Sequence, residues 1–305
     1  MVVTMKIGFG VPVSGPWATP ANMVRVARRA QELGYASLWA FQRLLYPVGH
    51  PMGPVYRSVQ DPIVTLSFLA GVTEDIRLGL AIVNLPFYSP ALLAKQLATL
   101  QDVSGGRLDA GLGLGWLAEE FTASGVPMAA RGRRAVEYLQ VLRRLWTEDL
   151  VSHKGEFYEV PPAHLDPKPR PGPPPVLLGG TAEPALRRAG ELADGWISSS
   201  RTDLSAIQDQ IRIIKDAARA AGRDPESLRF ICRGSTKVRE AGLPGRPMLT
   251  GSLDEIRADV ERLSTTGLTE LFHDLNFDPE MVAPGTDAAE SMRRAEEALT
   301  ALAPS

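Results

Sequence analysis

The run Ile76-Arg-Leu-Gly-Leu-Ala-Ile-Val-Asn84 is apolar and β-rich, and Ser89-Pro-Ala-Leu-Leu-Ala-Lys-Gln-Leu-Ala-Thr-Leu-Gln-Asp-Val103 that follows it is amphipathic. Arg107-Leu-Asp-Ala-Gly-Leu-Gly-Leu114 then returns to the strand pattern. Two strands joined by a helix of this length pair in parallel through a right-handed crossover. Working outward, the same unit recurs along the chain. Strands are predicted over 5–13, 36–41, 76–84, 107–114, 175–179, 195–199, 228–236 and 268–275. Helices are predicted over 20–33, 61–72, 90–103, 130–146, 182–192, 204–221, 252–265 and 286–302. Eight strand–helix units in 305 residues predict one (β/α)8 TIM barrel of the α/β class, a single domain over 1–305. Such barrels keep their chemistry at the C-terminal ends of the strands, so the search for function narrows to the loops there.

Bulk composition excludes several classes. The chain is 44% hydrophobic and 22% charged, ordinary for a globular domain. Its 33 basic and 35 acidic residues give a net charge of −2, which offers nothing to nucleic acid or an anionic membrane. The one cysteine, Cys232, lies inside the seventh strand and reads as a buried, inert thiol in a reducing compartment. No signal peptide or apolar run near the ~20 residues of a membrane span appears, so a cytoplasmic location is expected.

Thr19-Pro20, Asp61-Pro62 and Ser89-Pro90 each put a capping oxygen before a proline suited to the first helical turn. Gly34 reads as the residue that closes the first helix. Residues 147–175 break the rhythm with a proline-rich extended insertion between helix four and strand five, read equally as a substrate cover or a structural strap. A second insertion, 44–60, follows strand two and carries Tyr46, His50, Met52 and Tyr56.

Three segments could carry chemistry. Strand three ends in small Gly79 and Ala81 and polar Asn84. Strand four ends in Gly111, Gly113 and Gly115 before Trp116, a face stripped of side chains on which something flat could lie. Gly179-Gly180-Thr181 joins strand five to a helix, with Thr181 predicted as its cap. Free N–H groups and the helix dipole there suit a phosphate. Strand six ends in Ser198-Ser-Ser-Arg201, which brings hydroxyls, including that of Ser199, and the Arg201 guanidinium to the same mouth. No histidine, cysteine or carboxylate spacing suggests a metal.

Together these segments resemble the luciferase-like monooxygenase superfamily of flavin- and deazaflavin-dependent enzymes. The likeness is carried by Ser89 to Arg107, Gly111-Leu-Gly-Leu-Gly-Trp116, Pro167-Lys-Pro, Pro175-Val-Leu-Leu-Gly-Gly180 and Ala193-Asp-Gly-Trp196, in this order. Within it the chain is most similar to actinobacterial oxidoreductases that use coenzyme F420. The resemblance implies a non-prolyl cis peptide at Ala81-Ile82 behind the cofactor ring, and Asn84 facing the ring's polar edge. It also implies Gly115, Trp116 and Glu119 bordering the cofactor, and Gly179, Gly180 and Thr181 holding its phosphate. Relatives are commonly homodimers, and the apolar helices two and three (Ile63, Leu66, Phe68, Leu69, Leu92, Leu93, Leu97) offer an interface.

One departure matters. Many relatives end strand two in an acidic residue and a histidine, where this chain has Trp39-Ala-Phe-Gln-Arg43. Gln42 and Arg43 cannot act as general acid or base near neutral pH. No catalytic residue is assigned from the sequence; the candidates are Gln42, Arg43, His50, Trp116 and His273, with His273 read mainly as a packed strand residue. The expected function is hydride transfer between F420, or FMN as the alternative, and a small organic substrate, with a separate enzyme reducing the cofactor. The rivals are an FMN-dependent monooxygenase using a partner reductase and O2, and a non-catalytic cofactor-binding protein.

Overall fold

The computed structural model describes residues 4–304; of the expected domain, residues 1–3 and 305 lie outside them. The elements are β1 (Lys6–Gly10), α1 (Pro20–Glu32), β2 (Ser37–Ala40), α2 (Pro62–Ala70), β3 (Arg77–Leu80), β4 (Val83–Asn84), α3 (Pro90–Val103) and β5 (Leu108–Gly113). They continue with α4 (Ala118–Ala123), α5 (Arg131–Thr147), β6 (Val151–Lys154), β7 (Glu159–Ala163), β8 (Val176–Gly179), α6 (Glu183–Leu192), β9 (Gly195–Ile197) and α7 (Ile207–Ala220). The last are β10 (Arg229–Ser235), β11 (Lys237–Val238), β12 (Thr250–Gly251), α8 (Leu253–Ser264), β13 (Glu270–Asp274), α9 (Pro279–Val282) and α10 (Ala288–Ala301).

The main sheet runs β3-β2-β1-β13-β10-β9-β8-β5-β4 and closes through β3 on β5. Every pairing in it is parallel. Strands β3 and β4 are one stave broken by a bulge at Ala81-Ile82, whose peptide is cis. The result is the expected eight-staved barrel. The three predicted caps form: Thr19, Asp61 and Ser89 accept from the amides of Asn22, Val64 and Leu92 at 3.2, 2.9 and 3.2 Å. Gly34 closes α1 with φ of +80°.

Two apolar layers form. One lies between the staves and the helices and includes Phe9, Leu38, Leu78, Leu97, Tyr138, Trp146 and Trp196. The other fills the barrel lumen with Trp39, Ala81, Leu177, Ile197, Ile231 and Phe272, against which Ile82 packs. Trp39 and Phe272 stack at 5.1 Å. Below them, Asp109 is held by Arg77 (2.9 Å) and Arg229 (3.0 Å), and Glu270 accepts from Trp39 Nε1 (2.9 Å) and Arg229 (3.2 Å). Burial pushes the Asp109 carboxyl up, but the two guanidinium groups outweigh it and keep it below the usual range. This buried charge layer plugs the N-terminal end of the barrel.

The insertion at 147–175 is a strap, not a cover. Its β6 and β7 form an antiparallel hairpin, and the segment then runs beneath the barrel. Arg170 pairs with Asp102 at 2.8 Å at the end of α3, and Gln101 Nε2 donates to the Gly172 carbonyl at 3.0 Å. Connection topology dictates this, because a helix-to-strand loop lies at the face opposite the strand ends. Two short helices, α4 and α9, were not anticipated. No helix among the described residues is long and apolar enough to cross a membrane.

Candidate active site

A cavity of about 870 Å³ opens at the C-terminal mouth. It brings together Gln42, Arg43, Ala81, Ile82, Asn84, Gly115, Trp116, Gly179, Gly180, Thr181, Ser199 and Arg201 from separate loops. The volume lies in the range of small-molecule and cofactor sites.

The bulge is the cavity's inner wall, and three neighbouring glycines explain it. A Cβ on Gly111 would lie 1.7 Å from the Leu80 carbonyl oxygen, and one on Gly113 would lie 2.1 Å from Ile82 Cδ1. A Cβ on Gly179 would meet Ile82 at 3.3 Å. Gly111 and Gly113 therefore seat the bulge, and Gly113 and Gly115 also line the cavity, where the flat body expected from their spacing would lie. Gly79 is likewise small for the protein's own sake, since its Cβ would strike the Trp39 indole at 2.2 Å.

Hydrogen bonds pin the bulge along its length. The Ala81 amide donates to the Ala40 carbonyl at 2.7 Å. Arg233 Nη1 donates to the Ala81 carbonyl at 2.9 Å, while Arg233 Nε is held by Asp274 at 2.8 Å. Gln42 Oε1 accepts from the Asn84 amide and from Asn84 Nδ2 at 2.9 and 3.2 Å. Gln42 Nε2 donates to Tyr88 at 2.7 Å, and burial, with Asp61 adding, pushes the Tyr88 phenol up to about 12. Gln42 thus positions Asn84 and has no proton to exchange near neutral pH. Arg233 was missed in the sequence, although its alternation with Ile231 and Arg229 on β10 points all three into the lumen.

At the opposite side, β8 runs into α6. Thr181 does not cap this helix: the cap residue is Ala182, with no side-chain hydrogen bond. Pro184 has no amide and the Ala185 amide donates to the Ala182 carbonyl at 2.8 Å, so the Glu183 amide is the first-turn donor left for an anion. Gly180 adopts φ of +138°, closed to other residues, and a Cβ there would lie 2.6 Å from the Ala185 Cβ. Arg131 and Arg188 line the same end, and burial holds the Arg188 pKa below its usual value. Neither arginine was read from the sequence; each sits in a helix where nothing local marks it as inward.

Three expected residues lie elsewhere. Glu119 is exposed and outside the lining, because α4 turns its neighbour Glu120 inward instead. His50 stands behind Trp116, ring centroids 6.3 Å apart, and does not line the cavity. His273 alternates outward on β13, away from lumen-facing Phe272 and Asp274, and bonds Thr236 at 2.9 Å. Burial holds its pKa down at about 4. With an unfolded value of about 6.5, the unfolded chain binds the extra proton first, so stability falls as pH drops from 6.5 toward 4. The loss attributable to His273 is about 3 kcal/mol by pH 4. Urea unfolding at pH 7.5 and pH 5 should show a steeper fall for the native chain than for His273→Gln; equal slopes would refute it.

Cys232 is fully buried and burial pushes its thiol up to about 12, as an inert packing role requires. Among the described residues no cluster of three metal-binding side chains occurs.

A family model described as luciferase-like monooxygenase matches residues 2–241. The chain is 28% identical over 229 residues to the F420-dependent glucose-6-phosphate dehydrogenase of Amycolatopsis mediterranei, covering 73% of this chain and 66% of that one. It is 31% identical over 202 residues to the FMNH(2)-dependent dimethylsulfone monooxygenase of Pseudomonas putida, covering 65% and 53%. A solved F420-dependent secondary alcohol dehydrogenase in complex with an F420-acetone adduct superposes with a TM-score of 0.80 at 18% identity, covering 98% of this chain and 99% of that one, a likeness of fold. With a match over most of its length, the chain belongs to the luciferase-like monooxygenase family.

Proposed function

We propose that the chain is an oxidoreductase that holds a flavin-type cofactor, coenzyme F420 in preference to FMN, across the barrel mouth and passes hydride between it and a small organic substrate. The observation that carries this reading is the pairing, in one cavity, of the Ile82 bulge and Asn84 with the start of α6, Arg188 and the Arg131 of α5. These residues fit a flat heterocycle with a phosphorylated tail: Ile82 would back the ring, Asn84 would meet its polar edge, and Gly180, Thr181, Arg131 and Arg188 would hold the phosphate. The bound cofactor supplies the hydride. Two arginines at the tail end favour F420, whose tail adds carboxylates to its phosphate. The similarity to the dimethylsulfone monooxygenase supports the rival, an FMN enzyme served by a separate reductase and O2.

Among the described residues the cavity carries no histidine and one carboxylate, Asp203, which bonds to Ser205 hold below the usual range. Proton transfer to the substrate falls to the Tyr56 hydroxyl or water. Fluorescence titration with each cofactor tests the reading: F420 should bind at least tenfold tighter than FMN. The reverse order favours the rival, and binding of neither sinks both. Gln42→Ala should lower kcat/KM by less than tenfold, under about 1.4 kcal/mol, because Gln42 acts only through Asn84. A thousandfold loss in kcat with cofactor affinity intact would contradict that.

We further propose a homodimer through α2 and α3. Of the apolar residues there, Ile63, Leu66, Leu69, Leu93 and Leu97 are spent on the chain's own core. Val64, Phe68 and Leu92 stay exposed and form the patch available to a second copy. Light scattering at micromolar concentration should give twice 33.0 kDa; a particle of 33.0 kDa alone would overturn it.

A further inference from the structure

A second cavity, of about 380 Å³, adjoins the first and shares Ser200, Thr202, Asp203 and Arg233 with it. It lies between the loop after β9 and the segment that carries β11 and β12. None of Gly180, Thr181, Arg131 or Arg188 lines it, so this arm is separate from the α6 end. Arg233 bonds the Ala81 carbonyl at 2.9 Å, which sets the arm beside the bulge. The strand register aims Lys237 into it. Thr236 turns outward, where its hydroxyl meets His273 Nδ1 at 2.9 Å. Successive side chains alternate, so Ser235 and Lys237 continue the inward row of Ile231 and Arg233. The Lys237 amide donates to the Leu249 carbonyl at 2.9 Å, and β11 pairs with β12, which fixes the backbone. The residue is half-buried, and its ammonium has no hydrogen bond or ion pair among the described residues.

The arm's other charges have partners of their own. Arg233 Nε donates to Asp274 at 2.8 Å. Asp203 makes no ion pair with Lys237; its Oδ1 accepts from the Ser205 amide and hydroxyl at 2.9 and 2.7 Å. Ser235 Oγ donates to the Ser200 carbonyl at 3.1 Å, and Thr202 Oγ1 accepts from the Ser199 amide at 2.9 Å. Lys237 is thus the unspent charge of a concave wall, and such a cation draws an anion to it. Its ammonium acts as a point charge with rotatable donors, so it suits a carboxylate or a phosphate alike. Leu204, Pro247 and Met248 give the arm an apolar side, which suits an aliphatic body behind the anion.

We infer that Lys237 recognises the substrate, and that the substrate is an aliphatic molecule whose oxyanion, a carboxylate or a phosphate, docks in this arm while the rest of it reaches the bulge. The inference deepens the proposed function and rests on it for the reaction, though not for the binding.

The test uses hexanoate, hexyl phosphate and neutral hexanamide as probes, titrated calorimetrically into the full chain with and without F420. Lys237→Met keeps the length of the stem, removes the charge and strands no carboxylate; Lys237→Arg restores the charge. The native chain should bind at least one of the two anions tenfold or more tighter than hexanamide. In Lys237→Met that preference should fall to within twofold, with the affinities for hexanamide and F420 unchanged, and in Lys237→Arg it should return. Whichever of hexanoate and hexyl phosphate binds the tighter names the substrate's oxyanion, and either order supports the inference. Equal binding of anions and amide, no binding of any probe at millimolar concentration, or a preference that survives Lys237→Met overturns it. Loss of F420 affinity by more than tenfold in Lys237→Met also overturns it, because the arm would then serve the cofactor. A Lys237-dependent anion preference in a chain that binds neither F420 nor FMN leaves this inference standing and removes the proposed cofactor instead.

Discussion

Gly111→Ala should cost at least about 3 kcal/mol of stability, at the top of the range for overpacking. The added methyl would stand 1.7 Å from the Leu80 carbonyl oxygen and 2.9 Å from its carbon. Both are backbone atoms, so no rotamer change relieves the clash. Either β5 moves away from β3, which opens the barrel seam, or the bulge at Ala81-Ile82 shifts out of its seat. The first outcome lowers the melting temperature, by roughly 6 °C or more for a chain of this size. The second also removes cofactor binding. Gly172→Ala is the control, since nothing lies within 4 Å of the new carbon. Thermal unfolding of the two variants decides the matter: a Gly111→Ala chain within 1 kcal/mol of the control would mean that the glycine face of β5 is not there to seat the bulge.

Arg188→Glu should weaken cofactor binding a hundredfold or more, about 2.7 kcal/mol. If the proposed phosphate lies within about 4 Å of this half-buried guanidinium, the reversal exchanges attraction for repulsion, each worth about 4 kcal/mol at the effective dielectric of a protein surface. Arg187 is the neighbour in sequence but pairs with Glu183 in solvent. Arg187→Glu makes the same change in net charge, and its effect should stay within threefold. Equal effects of the two reversals would show that only the overall charge matters and that the start of α6 is not the anion site. A change of Gly180 would not serve this purpose, because its φ of +138° disfavours a side chain and the change would confound folding with binding.

The barrel was legible in the sequence because its signals are local and repeated. Proline after a capping side chain fixes a helix start, and eight alternations leave few topologies. The β6/β7 hairpin was not legible, because the prolines Pro161 and Pro162 argue against a strand and only pairing across the hairpin overrides them. The site divides the same way. Backbone features such as Gly179-Gly180 and the Ala81-Ile82 pair carry a sequence mark. Long side chains that reach the cavity from helices, Arg131 and Arg188, carry none. Glu119 and Glu120 differ by one position, and the start of α4 alone decides which carboxylate turns inward. The glycines of β5 were seen as an empty face; what their spacing does not tell is that the protein's own bulge fills part of it.

The charged plug beneath Trp39 and Phe272 has a kinetic consequence. With the floor sealed by Asp109, Arg229 and Glu270, nothing enters through the barrel, and in the proposed reaction both reactants would come in on the mouth side. The molecule that backs on Ile82 lies deeper and has to arrive first and leave last. On the proposed function, turnover is expected to be ordered: the shallow occupant would come and go past Trp116 while the deep one waits.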